Sequence, residues 1–120
     1  MDHLVLTVAS IERTVAFYTG VLGMRAETFE DGRSALHFGP QKFNLHEAGH
    51  EFEPKAARPA PGTVDICLVS STPLDEVIAA LGAHGVPIIK GPGPQTGARG
   101  EIRSVYLRDP DDNLIELANY

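Results

Sequence analysis

The sequence predicts an α+β domain built from two βαβββ modules, and three observations carry that expectation. The order strand, helix, three strands occurs twice along the 120 residues. A stretch rich in proline and glycine, without sustained periodicity, separates the two occurrences. In both, strands alternate apolar and polar residues, so that one face is free to pack under a helix while the other carries polar side chains. The modules are expected at about 1–48 and 63–120, joined by a linker at about 49–62, within a single domain spanning 1–120. A composition of 42% hydrophobic and 22% charged residues suits a soluble globular chain with one sizeable core.

Residues 2–8, DHLVLTV, alternate as a strand. Ser10 is a good N-cap, Glu12 sits favourably in the first turn, and Ile11, Val15, Tyr18 and Leu22 recur at helical spacing up to a cap at Gly23. MRAETFE, SALHF and KFNLHE then read as strands at 24–30, 34–38 and 42–47, punctuated by Asp31-Gly32 and Gly39-Pro40. In the second module TVDICLVS is a strand. Thr72-Pro73 opens a helix over LDEVIAALGAHG, with Leu74, Val77, Ile78 and Leu81 on one face and Asp75 and Glu76 near its positive end. VPIIK, IRSVYLR and NLIELAN supply three more strands. Between the first two of these, KGPGPQTGARGE has four glycines in residues 91–100 and is expected to be a flexible loop over the cavity.

Several function classes drop out on composition. A net charge of −6 argues against binding a phosphate backbone, so no nucleic acid is expected. The single Cys67 excludes an intrachain disulfide framework and fits a reducing compartment, and no stretch has the length of a membrane span or the pattern of a secretion signal. The cytoplasm is the expected location, with no membrane partner. Cys67 itself is expected to be a small buried hydrophobe, because no base nearby in sequence would activate it.

Strand parity then singles out a polar set. Leu4, Leu6 and Val8 should face the first helix, turning His3, Val5 and Thr7 the other way; Val64, Ile66 and Leu68 leave Asp65, Cys67 and Val69 opposite. Phe43 and Leu45 oppose Asn44 and His46. In the last strand Ile115 and Leu117 share one side, and Leu114, Glu116 and Ala118 the other. Glu116 therefore either meets water on an edge strand or enters a cavity as a metal ligand or acid/base group. Ser104, Tyr106 and Arg108 also share a strand face, and Arg99 or Arg103 are candidates to hold an anionic substrate. Lys55 and Arg58 in the linker are expected to be solvated, and His37, His50 and His84 to be surface or structural residues.

Taken together, DHLVLTVASIERTVAFYTGVLGM, FGPQKFNLHE, GHEFEPKAARPAPGTVDICL and PQTGARGEIRSVYLRDPDDNLIELANY resemble the vicinal oxygen chelate superfamily, and within it the glyoxalase domain-containing protein 5 subgroup. The resemblance implies the glyoxalase/bleomycin resistance/dihydroxybiphenyl dioxygenase fold, an incomplete barrel around a cavity. It places His3, Asp65 and Glu116 on metal-ligand positions at the first and last strands. Asn44 falls where glyoxalase I has a glutamate, and His46 lies two residues on as a fourth ligand or proton-transfer group. Asp65 replaces the usual histidine, and this oxygen-rich set moves the expected ion towards Mn²⁺ or Mg²⁺, with Ni, Co, Fe and Zn also open. Ser104 and Tyr106 fall where fosfomycin-resistance proteins hold substrate, with Asn44 and Arg103 as further substrate contacts and His46 and Glu116 as the catalytic pair. The implied activity is that of a metal-dependent lyase or isomerase acting on a small molecule with vicinal oxygens through enediolate-like chemistry. The alternatives are metal-free sequestration of a small molecule, as in bleomycin resistance, and metal-dependent opening of an epoxide. The same resemblance implies a homodimer with the site shared between subunits.

Overall fold

The computed structural model describes residues 1–120, which form eight strands and two helices. They divide into two compact units, Met1–Val64 and Asp65–Tyr120. The proline-rich stretch thus belongs with the first unit.

In the first unit, β1 (His3–Val8), α1 (Ile11–Gly20), β2 (Arg25–Phe29), β3 (Arg33–Phe38) and β4 (Gln41–Glu47) follow in sequence. The sheet order is β1-β4-β3-β2, with β1 parallel to β4 and the other pairs antiparallel. Parity works as expected: Leu6, Val8, Leu36, Phe43 and Leu45 are buried, together with Tyr18 from α1. The Tyr18 and Phe43 rings meet edge to face with centroids 5.8 Å apart, a geometry aromatic pairs favour. Ser10 caps α1, its Oγ accepting from Arg13 N at 3.2 Å. Thr14, absent from the apolar periodicity, is fully buried; its hydroxyl is satisfied by donating to the Ser10 carbonyl at 2.9 Å. After β4 the chain folds back against its own sheet. Phe52 is held there, with the Arg33 guanidinium 4.1 Å above its ring and the His46 ring 5.7 Å away.

The second unit repeats the plan with β5 (Asp65–Val69), α2 (Leu74–Ala83), β6 (Lys90–Gly97), β7 (Gly100–Arg108) and β8 (Leu114–Asn119). Its order is β5-β8-β7-β6, and β5 runs parallel to β8. Leu74, Leu81, Val105, Leu107, Ile115 and Leu117 form its core. The DPDDN turn ahead of β8 is tied by Asp109, whose Oδ1 accepts from the Asp111 and Asn113 backbones at 2.9 and 3.0 Å while Oδ2 accepts from Asn113 Nδ2 at 2.8 Å. Asp112 takes the positive φ of 64° that this turn needs.

Two sequence expectations are corrected here. VPIIK is not a strand before Lys90, and residues 91–97 are not a flexible loop but the body of β6, paired with β7. The reason is positional: β6 is an edge strand, so Pro92 and Pro94 cost few ladder bonds. The register shifts between Lys90 and Gly93, and Gly91 at φ 91° lies so close to β7 that a Cβ there would come within 2.5 Å of the Ser104 carbonyl oxygen. Glycine richness here reports close backbone approach.

Candidate functional site

The away-from-helix face of the second sheet carries a polar row. Cys67 on β5 and Tyr106 on β7 are the register partners of Glu116 on β8, so all three side chains emerge side by side. Ser104, one alternation along β7, is 1% exposed, and its Oγ has no hydrogen-bond partner. Glu116 Oε2 is likewise buried without a partner. The neighbours respond to that carboxylate: desolvation first and then the Glu116 charge push the Cys67 thiol up to about 11. Tyr106 is held above its ordinary value by desolvation first, then by a hydrogen bond to Glu116 and by that carboxylate's charge, with the Lys90 ammonium 5.5 Å from its ring. Cys67 is exposed, which corrects the expectation of a buried hydrophobe, because its strand face is not covered by the helix. Asp65, on the same face two residues earlier, is also exposed.

In the first sheet, Val5 pairs with Asn44 and Thr7 with His46, as the parallel register of β1 and β4 requires. Asn44 Oδ1 is a buried acceptor with no partner, and His46 is 8% exposed. His3 is half-exposed, and its Nδ1 lies 2.7 Å from Asp2 Oδ1. An Nδ1–H donated to that carboxylate leaves Nε2 as the free lone pair, the arrangement by which carboxylates orient ligating histidines. The hydrogen bond to His3 in turn holds the Asp2 carboxyl below its usual range. Beside this face the folded-back segment encloses a cleft of about 500 Å³, lined among others by Leu4, Val5, Thr7, His46, Lys55 and Arg58. Lys55 and Arg58 are exposed, as expected of linker charges, and they also stand at this cleft. The usable signal was Phe52 followed by Pro54, Pro59 and Pro61: an aromatic anchor and a stiff chain in an otherwise polar stretch.

Of the residues singled out from sequence, the second unit brings together Glu116, Tyr106 and Ser104, and adds Cys67. Arg103 is not with them. It alternates onto the side of Val105 and Leu107 and is exposed there. No group of three or more His, Cys, Asp or Glu side chains is placed to hold a metal ion. The donor chemistry nevertheless fits a divalent cation, since a buried carboxylate oxygen without a partner is costly and a cation removes that cost.

This repeated βαβββ architecture, with unsatisfied polar side chains on the faces away from the helices, has close counterparts. The Glyoxalase/Bleomycin resistance protein/Dioxygenase superfamily model matches residues 1–117, and the chain belongs to that family. It is 53% identical over its whole length to Virulence protein STM3117 of Salmonella typhimurium, covering 83% of that protein, whose crystal structure superposes with a TM-score of 0.98 over 100% of this chain and 95% of that one. It is 49% identical to the Glyoxalase domain-containing protein RDO1 of Mycosarcoma maydis, over 100% of this chain and 68% of the relative. At 21% identity, and therefore for the fold alone, it resembles a lactoylglutathione lyase from Agrobacterium tumefaciens (TM-score 0.75, 99% of this chain and 92% of that one) and TnmS3, an antibiotic binding protein from Streptomyces (TM-score 0.77, 99% and 93%).

Proposed function

We propose that this protein is a small-molecule enzyme of the glyoxalase type, a lyase or isomerase that holds a divalent ion through Glu116 and acts on a substrate with vicinal oxygens. The observation that carries the reading is Glu116 Oε2, buried and without a partner in a row of protonated neighbours. His3, oriented by Asp2, and Asp65 complete the proposed ligand set. A divalent ion would supply Lewis-acid stabilisation of negative charge developing on substrate oxygens. The chain's own groups do the rest. Ser104 Oγ and Tyr106 orient the substrate, Asn44 Oδ1 accepts a hydrogen bond from it, and His46, the buried imidazole, takes and returns the proton. The proposed assembly is a homodimer in which the site is shared between subunits, and the proposed location is the cytoplasm.

A second reading has its own support. Asn44 Oδ1 and Ser104 Oγ are unsatisfied as well, and a bound small molecule with donors would satisfy them without any metal. That reading is a sequestering protein, in line with TnmS3, an antibiotic binding protein of the same fold. Elemental analysis of protein purified without chelator or metal-affinity resin separates the two. The enzyme reading expects about one divalent ion per chain, lost in Glu116→Ala; no metal in either protein after reconstitution moves the assignment to sequestration.

A further inference from the structure

The cleft in the first unit carries features that the metal chemistry does not use. Its walls are largely apolar, with Leu4 and Val5 from β1 on one side and Pro54 and Pro59 from the folded-back segment on the other. At about 500 Å³ it falls within the range of small-molecule sites. Two cations stand at its edge, and they differ. Lys55 is hydrogen-bonded to Glu53, which neutralises it and holds its pKa above the usual value. Arg58 forms no ion pair and is exposed. His46 lines the same cleft, its ring packed on Phe52 and facing the polar edge of β1 at Thr7.

We propose that this cleft binds a small organic carboxylate, with the hydrocarbon part against Leu4, Val5, Pro54 and Pro59 and the carboxylate on the Arg58 guanidinium. The pattern is that of an anion site with one committed charge: a free guanidinium offers planar, bidentate donors that match a carboxylate, whereas Lys55 already has its counterion. The apolar walls exclude a bare inorganic anion as the preferred ligand, because it would leave them without contacts and surrender its hydration. The net charge of −6 makes the point sharper. In a chain that on the whole repels anions, an unpaired cation at a cleft is a local selection for one. This inference deepens the proposed function by naming the substrate class, and it rests on that reading only in taking the bound molecule to be the substrate.

The test uses the whole, chelator-treated protein and calorimetric titration with benzoate and hexanoate against benzamide and hexanamide, at low and moderate salt. Wild type is expected to bind each acid about fivefold more tightly than its amide, the upper end for a single exposed charge contact. Arg58→Gln should remove most of that preference, and Lys55→Gln should remove little of it. Amide resonances of Val5, Thr7 and His46 should shift on addition of acid. Equal binding of acid and amide, a preference that survives Arg58→Gln, or no binding of any probe up to about 10 mM would each overturn the proposal. Metal content of the reconstituted wild type keeps the two readings apart. If the wild type takes up no metal but the Arg58-dependent preference persists, the enzyme reading fails and the carboxylate site stands; metal binding that is lost in Glu116→Gln, without the preference, gives the converse.

Discussion

At the scale of single residues, Glu116 illustrates how neighbours define a side chain's chemistry. Cys67 and Tyr106 flank it from the adjacent strands, and desolvation first, with the Glu116 carboxylate adding to it, raises both neighbours above their ordinary values. The exposed thiol of Cys67 therefore presents less thiolate at neutral pH than an ordinary cysteine. In metal-free protein its alkylation by iodoacetamide should follow a titration centred near 11 in place of the ordinary 9.0, and Glu116→Gln should move the midpoint down while leaving the desolvation part of the shift. The sign for stability follows from proton counting: between those values the folded chain holds a proton that the unfolded chain has lost, so this thiol lowers stability as pH rises through that window. A midpoint unmoved by Glu116→Gln would mean that the carboxylate does not act on the thiol. Glu116 and Tyr106 were legible in sequence from strand parity, whereas Cys67 was not, since parity puts a residue on a face without saying what covers that face.

Secondary-structure elements are tied together by a device used twice. The last residue of the closing strand in each unit reaches the first backbone N–H of that unit's helix: Glu47 Oε1 accepts from Ile11 N at 3.2 Å, and Asn119 Oδ1 accepts from Leu74 N at 2.6 Å. In the second unit this matters more. Pro73 occupies the N-cap position of α2 and has no side chain able to accept, so Asn119 supplies the cap from β8 and also donates Nδ2 to the carbonyls of Ser70 and Thr72 at 3.1 and 3.0 Å. Asn119→Ala should therefore cost about 1–2 kcal/mol in urea unfolding, at the upper end for a lost cap, because two carbonyl partners go with it. A loss below about 0.5 kcal/mol would show that water replaces those bonds. The helices themselves, the DPDDN turn and seven of the eight strands could be anticipated from periodicity and turn residues. The position of β6 could not, because its glycines and prolines are tolerated only by virtue of its place at the sheet edge.

For the molecule as a whole, no helix is long and apolar enough to cross a membrane, and the net charge is −6. Val5 and Val69 stay 42% and 57% exposed on the away-from-helix faces of the first strands of their units. The proposed homodimer makes a direct prediction: light scattering at micromolar concentration should return twice the chain mass. A monomer mass would remove the shared-site arrangement and leave the carboxylate cleft untouched, since its lining lies in one unit. The sequence by itself determined the repeated βαβββ order, the parity that sends Glu116, Asn44 and His46 to the outer faces, and the family, because alternation and turn chemistry are local properties of the chain. Only the tertiary structure decided that Cys67 and Tyr106 bracket Glu116, that Arg103 alternates away from them, and that the proline-rich segment folds over β1 to bring Arg58 to a cleft. Those outcomes depend on register between distant strands and on packing of residues far apart in sequence, which no local pattern encodes.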